Sequence, residues 1–149
     1  MISGQMADDG TSDRPDILQP RRDEVPTTME ITKEQRASVA ETVMQLEREF
    51  YGRGPTSVRV SVSNGDPEVI TVLSIDTLTV MDRTLVASDM ISQVVSHHQA
   101  VHRATADDFC DEMESIMGRR PSAYLAQVDP NTGYAVRVFV FTEADSPQP

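Results

Sequence analysis

Phe50-Tyr51-Gly52-Arg53-Gly54-Pro55 is the stretch of this sequence best suited to hold a ligand. Two glycines flanking an arginine leave backbone N–H groups uncovered beside a guanidinium. Both can then converge on phosphate, bicarbonate or the carboxylate of a partner. Tyr51, Gly52, Arg53, Gly54 and Pro55 are therefore the candidate binding residues. The tract lacks the Lys-Ser/Thr pair of a phosphate-binding P-loop, and it is no dinucleotide fingerprint. A plainer reading is a helix stop followed by a tight turn, with Arg53 tied to a helix carboxylate. Both readings stay open at this level.

Three other groups could do chemistry. His98 and His102 stand one helical turn apart, with His97 beside them, and could share a metal ion. The glutamate a metalloprotease needs is missing, and Cys110 is two turns further on. These histidines read as an ordinary helix surface with one half-buried imidazole, so neither a metal nor a cofactor is expected. Asp107, Asp108, Asp111, Glu112 and Glu114 have no companion nucleophile or positioned histidine. They read as a solvated face, and no catalytic residue is expected. Cys110 lies beside Phe109 in an apolar helical pattern and reads as buried packing; Met81, Met90, Met113 and Met117 read as core filler.

Composition narrows the classes further. The 149 residues suit one domain. Thirteen Lys+Arg stand against 24 Asp+Glu, a formal net charge of −11. A nucleic-acid binder must neutralise phosphates with clustered bases, and an anionic lipid surface attracts polybasic segments, so both partners are disfavoured. No Trp and few aromatics argue against a base-stacking platform. No apolar run approaches the ~20 residues that span a bilayer. The start lacks the basic-then-apolar layout of a signal peptide, so a cytoplasmic location without membrane insertion is expected. A single cysteine excludes an internal disulfide and any multi-thiolate zinc site.

The elements that must position these residues follow from periodicity. Residues 1–29 carry little apolar surface and no period, and read as a disordered acidic leader. Thr32-Lys33-Glu34-Gln35 has the form of a capping box, and Val39, Val43, Leu46 and Phe50 then share one helical face. Gly52 and Gly54-Pro55 stop that helix. Val58, Val60 and Val62 alternate with polar residues, a strand with one buried face. Asn64-Gly65 predicts a tight hairpin turn, with Asp66-Pro67 available to lengthen it, and Val69–Ile75 reads as a more central strand. Thr79-Val80-Met81-Asp82 opens a helical pattern that runs to Gly118, either as one helix bent near Ser88 or as two. Arg119 and Arg120 follow, placed to meet its negative end. Ala123–Val128 and Tyr134–Phe141 are the last strands, and 144–149 reads as a frayed tail. The order predicts an α+β domain over residues 30–143, with a four-stranded antiparallel sheet and helices packed on one face. Such a sheet leaves an edge or an apolar face open, so a homodimer is expected.

The helix ending in Phe50–Pro55 and the Val-rich strand after it resemble the MpsC-like family of small bacterial and archaeal proteins. Leu78-Thr79 followed by Arg83 and Leu85 resembles that family's Leu-Thr-x-x-x-basic-x-Leu segment, although Val80-Met81-Asp82 stands where Pro-Ala-Glu is common. Met117-Gly118-Arg119-Arg120 resembles its Thr-Gly-Arg stretch. Asp129, Thr132 and Gly133, with Val136, Val138, Phe139 and Val140, resemble its closing hairpin. The likeness covers about residues 31–142. It implies an accessory component of a cation-translocating, membrane-potential-generating system linked to inorganic carbon supply. The expected function is therefore a non-enzymatic cytoplasmic accessory or regulatory protein whose partner is a protein, such as a membrane transporter subunit. The alternative is a small anion- or ligand-sensing module using the Gly-Arg-Gly loop.

Overall fold

Thr32 opens the first helix as its sequence context predicts. The Gln35 N–H donates to the Thr32 hydroxyl at 3.0 Å, and the Thr32 N–H donates to the Gln35 carboxamide at 2.9 Å. Helix α1 then runs Lys33–Tyr51. Gly52 ends it in the left-handed region (φ 84°), with its N–H returned to the Arg48 carbonyl. The computed structural model describes residues 30–143, and the leader and tail expected at 1–29 and 144–149 lie outside them.

After α1 come β1 (Ser57–Ser63), β2 (Glu68–Ile75), α2 (Val80–Ala87), α3 (Ile91–Met117), β3 (Ala123–Val128) and β4 (Ala135–Phe141). The strands form one antiparallel sheet in the order β1-β2-β4-β3, so β2 is central as expected. The α+β class and its element order are as predicted. Two local expectations change, and one open alternative is decided. The β1–β2 connection is a four-residue loop in which Gly65 takes a positive φ (136°) and Asn64 does not, so no two-residue turn forms. The long helical pattern is two helices, because Asp89 adopts a left-handed φ of 60° between them. The last strand starts at Ala135, leaving the Tyr134 ring exposed.

The strand alternation sorts the sheet into two faces. Ile70 and Val72 of β2 and Phe139 and Phe141 of β4 point towards the helices. There they meet Val39 and Val43 of α1 and Phe109, Met113 and Met117 of α3. Cys110 is buried as expected. Met81 and Met90 are not core: Met81 lies on the solvent side of the short α2 and is 64% exposed, and Met90 stands in the exposed junction before α3. Arg119 and Arg120 take side-chain partners instead of a helix terminus. Arg119 pairs with buried Glu68, its guanidinium 4.9 Å from the Phe141 ring centroid. Arg120 gathers Asp107, Asp111 and Glu114 from the solvent-facing acidic run.

Candidate functional site

The Tyr51–Pro55 tract is a junction between helix α1 and the loops at one end of the sheet. Gly54 packs against α1: a Cβ there would meet the Met44 carbonyl at 3.4 Å and the Arg48 guanidinium at 3.5 Å, ordinary contact distances. Arg53 Nη1 donates to the Leu78 carbonyl at 2.6 Å, and Nη2 donates to Asp76 Oδ2 at 3.0 Å. The carboxylate partner is thus in the loop after β2, not on a helix. Arg83 Nη2 donates to the other Asp76 oxygen at 3.0 Å. The Arg53 hydrogen bond, with Arg83 adding, holds this carboxyl below its ordinary range. Asp76 has a left-handed φ of 63°, a conformation that two arginine contacts help to hold. Next to it, the Thr77 N–H and hydroxyl both donate to the Gly133 carbonyl at 2.9 Å, clasping this loop to the β3–β4 connection.

Beneath the tract lies a buried polar cluster. Glu47 of α1 and Arg137 of β4 form an ion pair with both side chains almost wholly buried. Arg137 Nε donates to the Tyr124 hydroxyl at 3.0 Å, and its guanidinium lies 4.4 Å from the Phe109 ring centroid. Burial opposes charge on Arg137, but the Glu47 carboxylate and, adding to it, Tyr124 and Tyr51 together raise its pKa. So the guanidinium stays charged. A pair removed from water in this way needs each partner present to offset the other's desolvation.

Two histidines of α3 complete the cluster. His98 Nε2 lies 2.8 Å from Asp82 Oδ2, which also accepts the Thr79 N–H as the return half of the α2 capping box. Burial raises the Asp82 pKa, but these hydrogen bonds together lower it on balance. The Tyr51 ring stacks on His98 with centroids 5.0 Å apart, and its hydroxyl lies 3.3 Å from His102 Nδ1. Burial pushes Tyr51 up to about 12 and His102 down to about 4, with Arg137 and His98 further lowering the latter. At neutral pH both groups are therefore uncharged, and one hydrogen bond joins them in the direction the imidazole tautomer sets. His102 Nε2 and Glu47 Oε2 have no protein partner among the described residues. They line a cavity of about 10 Å³ shared with Tyr51, Arg53, Thr77 and Arg137, the room of one water molecule.

The structure thus brings Tyr51, Arg53 and Pro55 to one cavity, while Gly52 and Gly54 shape the backbone around it. His98 and His102 are both buried, against the expectation of one half-buried ring; only His97 faces solvent. They point to different partners, Asp82 and Tyr51. Among the described residues no three His, Cys, Asp or Glu side chains are grouped to hold a metal. Glu47 and Arg137 were missed from sequence. Glu47 sits among Arg48 and Glu49, which look like an exposed face. Arg137 lies between valines on a strand whose two faces are both apolar, so alternation does not say which way it points. That lone charge in an apolar strand was the available signal.

A family model described as "Na+-translocating membrane potential-generating system (MpsC)" matches residues 32–143, most of the chain. Comparison with curated proteins and with solved structures returns no match.

Proposed function

The chain belongs to the MpsC family, and on that premise we propose that it is a non-enzymatic cytoplasmic accessory or regulatory component of a cation-translocating, membrane-potential-generating system. It acts by contact with an integral membrane partner. The observation that carries this reading is charge. The chain has a net charge of −11, and Arg53, Arg83, Arg119, Arg120 and Arg137 are already engaged with its own carboxylates. What remains for a partner is a negative surface, complementary to the Lys/Arg-rich cytoplasmic loops of membrane proteins. No described helix is itself long and apolar enough to cross a membrane. A contact role also suits the buried cluster, whose cavity is water-sized and whose imidazoles are held by Asp82 and Tyr51. An anion sensor built on the Gly-Arg-Gly loop is less favoured, since Arg53 would have to leave Leu78 and Asp76.

The test is capture from solubilised membranes with the full chain as bait, at about 50 mM and about 500 mM salt, since screening weakens exposed charge contacts. A membrane protein retained at low salt and released at high salt is expected. Absence of any salt-sensitive membrane partner would overturn the reading. A rise in melting temperature specific to bicarbonate, phosphate or a nucleotide would favour the sensor instead.

A further inference from the structure

The sheet has a second face, and the buried clusters do not use it. The strand register places Val69, Leu73 and Ile75 of β2 beside Val136, Val138 and Val140 of β4, all pointing away from the helices. None of these six joins either buried apolar cluster. On β3, Leu125 continues the face and is 57% exposed. At one end, Tyr134, Gln127, Leu73 and Val136 line a shallow hollow of about 260 Å³, with Asp129 and Thr132 of the β3–β4 connection at its rim. Four strands about 4.8 Å apart and seven residues long, at about 3.3 Å each, give this face roughly 20 by 23 Å. Its apolar part is the β2–β4 centre with Leu125, flanked by the polar residues of β1, a hydrophobic surface with a polar rim of the kind that contacts use.

Charge says what covers it. On this face β1 contributes Ser57, Arg59, Ser61 and Ser63, and β3 adds Ala123 and Gln127 to Leu125. With Thr71 included, the described strand residues of this face carry one arginine and no carboxylate, on a chain with 24 acids; Asp129 stands only at the rim. A basic partner finds no carboxylate to pair with on the strands themselves. Two copies of a chain at −11 repel across most of their surface, but across the strand residues of this face no carboxylates oppose one another. A pleated, valine-rich sheet face is also complementary to itself, and two such faces pack aligned with a small offset in strand direction. We propose that the outer sheet face is a homodimer interface, in which Val138 and its neighbours pack on the same face of a second copy.

The test is sedimentation of the full chain, compared with Val138→Glu at the centre of the face and Leu125→Glu at its exposed margin. The control is Val80→Glu, on α2 and 79% exposed. Interfaces of this size span a wide affinity range, so concentrations should run from about 1 to about 100 μM. The parent and Val80→Glu should sediment at twice the 16.5 kDa chain mass, and both face variants at the single-chain mass with unchanged circular dichroism. If Val138→Glu fails to fold, Leu125→Glu decides alone, because its side chain is already largely in solvent. A parent that is monomeric at the highest concentration overturns the proposal. So does a dimer that survives Leu125→Glu, or one that Val80→Glu dissociates.

Discussion

Acid should unfold this domain through His102 before it reaches the carboxylates. In the folded chain His102 takes a proton only near pH 4, against 6.5 for a free imidazole, because burial, Arg137 and His98 disfavour its charge. The unfolded chain binds that proton first as pH falls. Stability from this group is therefore complete above about pH 6.5 and is lost progressively down to about pH 4. A difference of about 2.5 pH units at 1.36 kcal/mol each is about 3 kcal/mol. For a domain of this size that lowers the melting temperature by roughly 10–15 °C. Asp82 acts in the opposite range: its folded pKa is lowered, so its contribution fades only below the ordinary carboxylate value of 3.8. Thermal melts in steps from pH 7 to pH 4 should show the parent losing stability, and His102→Gln should lose that much less. His97 and His98 are common to both chains, so the difference isolates His102. Parallel curves for parent and variant, or an NMR titration of His102 near 6.5, would refute the reasoning.

Removing one member of the Glu47–Arg137 pair should cost about 3–5 kcal/mol in urea unfolding, whereas Glu47→Leu with Arg137→Met should recover most of it, since no lone charge is then buried. Arg53→Ala should cost about 1 kcal/mol, because one carbonyl hydrogen bond and a partly exposed ion pair are lost. Arg53→Lys should keep only part of this, lacking the fork that reaches Leu78 and Asp76 together. If both variants melt like the parent yet lose the captured partner, Arg53 acts in recognition instead. Cys110 is buried with its thiol pKa raised by burial, so a thiol reagent at pH 8 should label it only after denaturant unfolds the chain.

What the sequence made legible was local. Thr32 with Gln35, and Thr79 with Asp82, announced two helix starts because a capping box is a contact between near neighbours. Gly52 and Gly118 marked helix ends because both adopt the left-handed backbone that glycine tolerates. The candidate site was half legible. Arg53 stood out between its glycines, but its partner Asp76 lies 23 positions on and could not be chosen among many acids. Glu47 and Arg137 are 90 positions apart, and only the tertiary fold brings them together. His102 misled for a related reason. A 27-residue helix packed along its length buries rings that a local pattern of polar neighbours assigns to solvent.

The strand order β1-β2-β4-β3 also shapes how the chain reaches its fold. Each hairpin, β1–β2 and β3–β4, joins strands adjacent in sequence and can form early at little loop-closure cost. The central ladder is different. β2 meets β4 only across the segment that contains α2, α3 and β3, so it is the long-range contact that limits the folding rate. A mutation in that ladder, such as Thr71→Ala opposite Val138, should slow folding. One in the edge strand, such as Val60→Ala, should slow it too, because the β1–β2 hairpin is already formed when the central ladder closes. Stopped-flow chevrons of the two variants read this directly, and a Val60→Ala effect confined to the unfolding limb would show that the halves of the sheet dock before the β1–β2 hairpin is complete.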